Sequence, residues 1–469
     1  MKILSSYHTG TEEKQECDSI NLTNIRFDNF QDDIIVDIYK KQFTDDIMVN
    51  YYKERVTKRV TLQITDRCNL ACTYCFQCNK GKKSMSYETA ILLIESLTDD
   101  GYFEDTDSVI IDFIGGESFL EVDLMDRICE YSIQYLRSVY PDIIIRFGTC
   151  SNGTLYFTKK VQDFIQKYKD ILRVSFSIDG CKESHDMCRI FPNGSGSYEL
   201  AHNAFLHYKS TFDSTSNVKL TVSPDNVQYF YNSILDMIDS GITILQFGLT
   251  SEEGWTLDHA KIYYQQLKKV ADYIIDNDLF DKVVIPQFVE PIRKTDSEDN
   301  WCNANINKSL SMDPDGNLFT CIRFMQSSLS KRKPLSIGTV HDGIGQDEET
   351  LNNIKCIQCL NRRMVSNDKC YHCPISTTCM WCCAYSYEKY GDLTKRATFV
   401  CQMNIALSLA NNYFLNRFAE RQQQNGNDDY VFNRLSLYCP YDWAVDVIGD
   451  EEYENLIKLS HGNRRRMKL

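Results

Sequence analysis

The chain has 469 residues and a formal net charge of -14, which predicts several domains and argues against a nucleic-acid partner, because phosphate binding needs patches of Lys and Arg. No apolar run is long enough to predict a membrane span, and the N-terminus lacks a signal-peptide pattern. The 20 cysteines therefore indicate a reducing cytoplasmic setting, where clustered thiols more often bind metals than form disulfides.

Residues 1–57 form an N-terminal segment of unassigned structure and are a candidate for substrate recognition. From Lys58 to about Asn277, short runs rich in Val, Ile and Phe alternate with helical patterns. The predicted strands are Val60–Thr65, Ser108–Ile114, Ile143–Phe147, Leu172–Ile178, Val218–Val222 and Ile242–Gly248. The predicted helices are Tyr87–Leu97, Asp123–Val139, Thr158–Tyr168, Tyr198–Tyr208, Val227–Ser240 and Leu257–Asn277, with Ser86 and Ser197 as N-caps.

Six strand–helix units in series predict a parallel sheet, and six fall short of the eight in a closed barrel. We therefore expect an α/β fold with an open, partial (β/α)6 barrel over residues 58–290. Residues 291–401 are rich in Cys, Asn, Ser and Asp and poor in periodicity. Such a segment is expected to build little apolar core and to depend on metal clusters. Residues 402–469 are predicted to be a helical extension, with one helix over Asn404–Gln424.

Cys68, Cys72 and Cys75 form a C-x3-C-x2-C loop directly after the first predicted strand. Three thiolates can hold three irons of a four-iron cluster and leave the fourth iron open. A zinc site is the alternative from spacing alone, and Cys78 could supply the fourth ligand that zinc needs.

This loop, with the aromatic Tyr74 before its last cysteine, resembles the radical S-adenosylmethionine (SAM) superfamily over roughly Lys58 to Asn277. The resemblance implies that the open iron binds the amino and carboxyl groups of SAM. It also implies that one electron from a reduced [4Fe-4S] cluster cleaves SAM to methionine and a 5′-deoxyadenosyl radical, which takes a hydrogen atom from the substrate.

The resemblance extends to the loops after the second and third strands. Gly115 and Gly116 would bring bare backbone to the methionine part of SAM, and Glu117 would accept from its ammonium group. Ser151 and Asn152 resemble the turn that contacts the ribose.

Further cofactor contacts are implied near the fourth strand. Ser177 and Asp179 lie where the family places polar contacts to SAM. Arg189 could pair with the SAM carboxylate, and a surface ion pair is the alternative. We interpret His185 as a surface residue at the start of a helix.

The C-terminal cysteines resemble the SPASM domain, a seven-cysteine extension of radical enzymes that modify peptides and proteins. Gly316-x4-Cys321 belongs to this pattern, and a zinc ribbon is the main alternative. The resemblance implies an outer [4Fe-4S] cluster held by Cys370, Cys373, Cys379 and Cys401. It implies an inner [4Fe-4S] cluster held by Cys302, Cys321 and Cys383, which brings the total to three clusters.

The inner cluster is one protein ligand short in this pattern. Cys356 or Cys359 could donate the missing thiolate, or an open iron could bind a substrate thiolate, and the sequence leaves both open. Cys382 adjoins Cys383, and only Cys383 fits the spacing.

The stretches around Cys321 and before Cys401 resemble maturases of ribosomally made peptides, in particular the group that acts on Cys-x-x-x-repeat precursors. This implies a precursor-peptide substrate, a Cys thioether crosslink and a flavodoxin- or ferredoxin-type electron donor. Two alternatives stay open: a sulfatase-type maturase that oxidises Cys or Ser to formylglycine, which needs an acid–base carboxylate, and a non-enzymatic iron–sulfur or zinc protein.

Overall fold

The computed structural model describes residues 56–289 except 214, 253 and 281, residue 304, residues 309–425 except 374, 377, 378 and 380, and residues 441–460. The predicted segment 1–57 lies almost wholly outside the described residues, as does the predicted ligand Cys302. Within the described part, one continuous sheet forms the centre of the molecule.

The sheet has the strand order β10-β9-β8-β7-β1-β2-β3-β4-β5-β6. Strands β1 to β6 pair in parallel, and β7 pairs in parallel with the free edge of β1, while β7 to β10 pair antiparallel. The six-stranded barrel therefore stays open. The strands are β1 Thr57–Thr65, β2 Ser108–Gly115, β3 Ile144–Ser151, β4 Leu172–Ser177, β5 Val218–Val222, β6 Phe247–Leu249, β7 Ser309–Met312, β8 Asn317–Phe319, β9 Gly338–Thr339 and β10 Gly343–Ile344.

Helices separate the parallel strands and cover the sheet. They are α1 Tyr87–Asp99, α2 Val122–Val139, α3 Lys159–Tyr168, α4 Lys182–Cys188, α5 Tyr198–Thr211, α6 Phe230–Asp239, α7 Leu257–Asp276, α8 Pro286–Val289, α9 Glu348–Gln358, α10 Asp368–Tyr371, α11 Cys383–Tyr390, α12 Cys401–Gln424 and α13 Tyr441–Ser460. Short 3-10 turns occur at Ser118–Glu121, Val227–Tyr229, Ile322–Phe324 and Gln326–Ser328. No helix of the described part is both long and apolar enough to cross a membrane.

The predicted α/β fold with an open (β/α)6 barrel is confirmed, and the predicted strands and helices of residues 58–277 form with ends that differ by a few residues. The sixth strand differs most, because β6 contains only Phe247–Leu249. Upstream of it, Ile244 bridges to Val284, and the Leu245 N–H donates to the Val284 carbonyl over 2.9 Å. This stretch therefore pairs with residues near Val284 instead of extending β6.

The expectation that residues 291–401 build little apolar core is wrong in part. These residues form a small core separate from the main one. Its buried members are Ala304, Phe319, Phe324, Met325, Ile357, Leu360, Val365, Trp381, Cys383 and Ala384. Apolar burial therefore contributes to holding this region together, beside any metal cluster.

The C-terminal helices pack on the barrel. The Asn411 side chain of α12 donates to the carbonyls of Gln287 and Phe288, each over 3.0 Å, and the rings of Phe288 and Phe414 stack at 4.9 Å. These hydrogen bonds satisfy two carbonyls of the four-residue helix α8, because the carbonyls in the last turn of a helix have no acceptor role within the helix. The predicted helix over Asn404–Gln424 is thus anchored to the barrel by both polar and apolar contacts.

The end of β4 depends on glycine at position 180. Gly180 has a φ of 89°, and a Cβ there would stand 1.9 Å from the Cβ of Ser233 in α6. Gly180→Ala is expected to lower the free energy of unfolding by about 1–2 kcal/mol, because an L-residue is strained at this φ. The clash of the added Cβ with Ser233 should lower it by about 1–3 kcal/mol more. Urea unfolding measures the loss.

Gly194→Ala is the matched control, since Gly194 has a φ of 84° with nothing within 4 Å of the added Cβ. Gly194→Ala should lower the free energy of unfolding by only about 1–2 kcal/mol, which comes from the strained backbone. Equal losses of stability in the two variants would contradict the close packing of the turn after β4, at Gly180, against Ser233 of α6.

Candidate functional site

The carboxyl ends of parallel strands meet at one edge of the sheet, where such folds place their chemistry. The loop with Cys68, Cys72 and Cys75 follows β1, and the predicted cofactor residues follow β2, β3 and β4. The structure therefore brings these segments to one edge of the barrel. Their assignment as iron and SAM ligands stays a prediction.

Backbone contacts fix the cysteine loop against the end of α4. The Ala71 N–H donates to the Ile190 carbonyl over 2.7 Å, and the Thr73 N–H donates to the Cys188 carbonyl over 2.9 Å. The Lys80 ammonium donates to the Leu70 carbonyl over 3.1 Å. The loop is thus held at several points although it has no regular secondary structure.

The three thiols of the loop are partly exposed and lie within range of one another's charge. Burial raises the pKa of Cys72 to about 11, with Arg189 opposing this and Cys75 and Cys68 adding to it. Burial also raises the pKa of Cys68. A metal bound through Cys68 and Cys72 would therefore have to displace their protons. Cys78, the alternative zinc ligand, is exposed.

No three His, Cys, Asp or Glu side chains within the described residues lie close enough to hold one metal ion. The donor set of the loop nevertheless fits an iron–sulfur cluster, because thiolates are its usual ligands. The backbone at Gly116 fits closely against this loop, since a Cβ there would stand 2.3 Å from the Arg67 carbonyl oxygen and 2.7 Å from the Cys68 Cβ. Glycine is therefore required beside the cysteines.

Glu117 is 1% exposed and binds the chain itself. Its carboxylate accepts from the Phe119 N–H at 3.1 Å, the Ser151 hydroxyl at 2.8 Å and the Asn152 N–H at 2.8 Å. Burial raises its pKa, and these three donors oppose the rise. Glu117 therefore joins the ends of β2 and β3, and its predicted contact with the SAM ammonium stays untested.

Asn152 connects the end of β3 to the cysteine loop. Its amide donates to the Asn69 side-chain oxygen over 2.8 Å, and Asn69 donates to the Thr154 hydroxyl over 2.7 Å. At the end of the neighbouring strand, the Ser177 hydroxyl lies 3.3 Å from the Cys150 sulfur. The end of β3 is therefore hydrogen-bonded to the cysteine loop through Asn69.

Asp179 and Arg189 form a buried ion pair. Asp179 is fully buried and Arg189 is 8% exposed, and two guanidinium nitrogens reach the carboxylate at 2.9 and 3.1 Å. The Tyr74 hydroxyl and the Thr221 N–H donate to the same carboxylate. The guanidinium also lies 5.4 Å from the centre of the Tyr74 ring. The alternative interpretation of Arg189 as a surface ion pair is therefore wrong, because its partner is buried.

His185 was interpreted as a surface residue, and this is wrong, because the side chain is fully buried. Its Nδ1 accepts from the Asp179 N–H at 3.4 Å, and its Nε2 lies 3.0 Å from the Ser197 hydroxyl. That hydroxyl donates to the Arg189 carbonyl over 2.8 Å and so accepts from Nε2. One neutral tautomer satisfies every contact. The predicted cap Ser197 therefore begins α5 without capping it.

The four cysteines predicted for the outer cluster are neighbours. Burial raises the pKa of Cys379 to about 12, and Cys401, Cys373 and Cys370 add to the rise while Arg396 opposes it. Burial likewise raises the pKa of Cys401 and Cys373, with Cys370 adding to both. The four thiols from residues 370–401 thus lie within range of one another's charge and of the Arg396 guanidinium.

The inner set is described only in part, because Cys302 lies outside the described residues. Cys383 is buried and Cys321 is partly exposed. Cys356 and Cys359, the alternative ligands, are exposed at the end of α9.

A polar group between the barrel and the C-terminal region was not predicted. Arg323 forms an ion pair with Glu252, lies 4.8 Å from the centre of the Phe76 ring, and approaches the Cys382 sulfur to 3.5 Å. A small pocket lies beside it and is lined by Leu249, Thr250, Trp381, Cys382, Tyr385 and Asn404 among others. Glu252 and Arg323 are 71 positions apart in the sequence, so their pairing has no local signal. The only available signal for Arg323 was its position two residues after Cys321.

No family model matches the chain. The uncharacterized protein MJ0907 of Methanocaldococcus jannaschii is 26% identical over 270 residues, which are 56% of this chain and 84% of the relative. The solved structure of native anSMEcpe with bound AdoMet and Kp18Cys peptide aligns with a TM-score of 0.57 at 18% identity, over 80% of this chain and 99% of the other. Native anSMEcpe with bound AdoMet aligns with a TM-score of 0.54 at 18% identity, over 79% and 100%. The chain thus shares its fold, a partial barrel with a helical C-terminal region, with these AdoMet-bound structures.

Asp179→Asn is expected to lower the free energy of unfolding by about 3–5 kcal/mol, because it leaves the buried Arg189 charge without its partner. Chemical unfolding of the full chain measures the change. Asp163→Asn is the control, since Asp163 pairs with Lys159 while both side chains are exposed. It should cost at most about 1 kcal/mol. Similar losses in the two variants would contradict the buried pair.

The neutral His185 predicts a loss of stability in acid. Burial lowers its folded-state pKa from 6.5 to about 3, so the unfolded chain binds the proton first as the pH falls below 6.5. This group should cost about 2 kcal/mol of stability between pH 7 and pH 5. His185→Asn should reduce that slope, as measured by urea unfolding at several pH values. An unchanged slope would show that His185 titrates normally.

Proposed function

We propose that this chain is a radical SAM enzyme with three [4Fe-4S] clusters that modifies a ribosomally made precursor peptide. The modification we expect is a crosslink, most simply a thioether from a Cys sulfur to a carbon of another residue. The observation that carries the proposal is the convergence of the three-cysteine loop and the polar strand ends at one barrel edge, next to a C-terminal region with further grouped cysteines.

Cys68, Cys72 and Cys75 would hold the catalytic cluster. When bound and reduced, this cluster supplies the electron that cleaves SAM to methionine and a 5′-deoxyadenosyl radical. The chain supplies the position of the cofactor. Gly115 and Gly116 present bare backbone beside the loop, which allows a close approach of the methionine part.

Tyr74, Ser151, Asn152, Ser177 and Asp179 would surround the rest of SAM. In the described structure their polar groups are already oriented by hydrogen bonds, so little side-chain entropy remains to be lost on binding. Arg189 would act mainly through Asp179 and Tyr74, because its guanidinium is engaged with both.

A peptide substrate would lie between the barrel edge and the C-terminal region. The small pocket at the carboxyl end of β6 has apolar and aromatic walls with a few hydroxyl and amide groups, which suit one side chain of a peptide. Peptides are bound in the anSMEcpe structures that share the fold. The outer and inner clusters would accept the second electron of the reaction, and a flavodoxin or ferredoxin would supply the first.

A sulfatase-type maturase is the second candidate, and Glu252 favours it. That chemistry needs an acid–base carboxylate near the substrate. Glu252 adjoins Ser251, which lines the pocket, and the Glu252 carboxylate forms an ion pair with Arg323. The two candidates predict different products. A crosslinked peptide keeps its sulfur and loses two hydrogen atoms and one free thiol. Conversion of Cys to formylglycine removes the sulfur, and conversion of Ser leaves an aldehyde and every thiol free, so mass spectrometry after thiol alkylation distinguishes these products.

Anaerobic reconstitution should give about twelve irons per chain, and reduction with SAM present should give 5′-deoxyadenosine. A variant with Cys68, Cys72 and Cys75 all changed to Ala should keep about eight irons and lose SAM cleavage, because only the catalytic cluster is removed. Iron analysis and chromatography of the nucleoside measure the two effects.

Cys78→Ser is the matched control. It should keep both iron and cleavage if the loop holds a cluster, and it should lose metal if Cys78 is a zinc ligand. Zinc in place of iron in the wild type, or iron without SAM cleavage, would leave a non-enzymatic metal protein.

A further inference from the structure

The small core of the C-terminal region is bordered by three cysteines. Cys383 is one of its buried members at 1% exposure, and Cys321 and Cys382 pack against it while remaining partly exposed. Two of these three are predicted ligands of the inner cluster. Cys382 has no assigned role, although it borders the same core as both.

Arg323 connects Cys382 to Cys321. Its Nη1 approaches the Cys382 sulfur to 3.5 Å, and its charge also interacts with Cys321, two residues before it. A guanidinium stabilises neighbouring thiolates and the negative charge of a thiolate-bound cluster, and hydrogen bonds to such sulfurs tune the reduction potential. Arg323 thus places a positive charge beside both Cys382 and Cys321.

The helix termini separate Cys382 from the other candidates. Cys382 is the N-cap of α11 and makes no side-chain capping hydrogen bond, so its sulfur lies at the positive end of a helix. Cys356 lies in the last turn of α9 and Cys359 is its C-cap, at the negative end of a helix. A negatively charged cluster is stabilised beside the positive end of a helix and is not stabilised beside the negative end.

We propose that Cys382 supplies the thiolate missing from the inner cluster, beside Cys321 and Cys383, and that Arg323 balances the charge of that cluster. This inference rests on the proposed function, because it assumes that an inner iron–sulfur cluster is bound. It makes Cys356 and Cys359 dispensable for that cluster. It also leaves no open iron there for a substrate thiolate.

The geometry around Arg323 gives the proposal a second consequence. The same guanidinium lies on the ring of Phe76, which directly follows Cys75 of the catalytic loop, and the Asn79 N–H donates to the Ser327 carbonyl over 3.0 Å. The turn after Cys321 therefore contacts the loop that would hold the catalytic cluster. A cluster bound at Cys382 and Cys321 would be the auxiliary cluster adjoining the active site.

The test is anaerobic reconstitution of the full chain carrying Cys382→Ala, Cys356→Ala or Cys359→Ala, with Cys383→Ala as the reference for a lost inner-cluster ligand. The readouts are iron per chain and the electron paramagnetic resonance spectrum after reduction. Cys382→Ala should lose or alter the same spectral component as Cys383→Ala, with a loss of up to about four irons. Cys356→Ala and Cys359→Ala should match the wild type.

Wild-type iron and an unchanged spectrum in Cys382→Ala would overturn the inference, as would loss of that component in Cys356→Ala or Cys359→Ala. Arg323→Gln provides a readout that needs no ligand removed. It should lower the reduction potential of the same component, since removal of a positive charge disfavours reduction, and an unchanged potential would also count against the proposal. A wild type without iron or SAM cleavage would instead remove the proposed function itself.

Discussion

The buried carboxylate of Asp179 is the point on which the candidate site depends. It accepts hydrogen bonds from Arg189, Tyr74 and Thr221, which belong to the end of α4, the cysteine loop and β5. A buried charge is tolerated only when its partners are complete. These hydrogen bonds tie the cysteine loop to the ends of β4 and β5. His185, which accepts from the Asp179 N–H, is neutral and so adds no second positive charge beside Arg189.

The main elements could be predicted because their patterns are local. Strands such as β2 and β5 are continuous runs of Val and Ile or alternate cleanly, and the cysteine spacings are themselves the signal for metal chemistry. β9 and β10 could not be predicted, because two residues carry no periodicity. The bounds of the seven-residue helix around His185, α4, could not be predicted for a similar reason.

Contacts between distant segments account for the rest. The burial of His185 follows from the packing of α4 against α5, and the ion pair between Arg323 and Glu252 joins the turn after Cys321 to the end of β6. Neither has a signature in the neighbouring sequence. The small core of the C-terminal region was underestimated because its apolar residues, such as Phe319, Ile357 and Trp381, are scattered over more than sixty positions and meet only after folding.

The parallel pairing of β7 with β1 protects the barrel from self-association. β7 pairs with Arg59–Leu62 of β1, and without it the backbone donors and acceptors on this side of β1 would form an exposed edge, which recruits strands from other molecules. At the opposite edge, β6 has only three residues and offers little template. A chain whose C-terminal region fails to fold would therefore also acquire an open edge on its barrel, and that edge would promote aggregation.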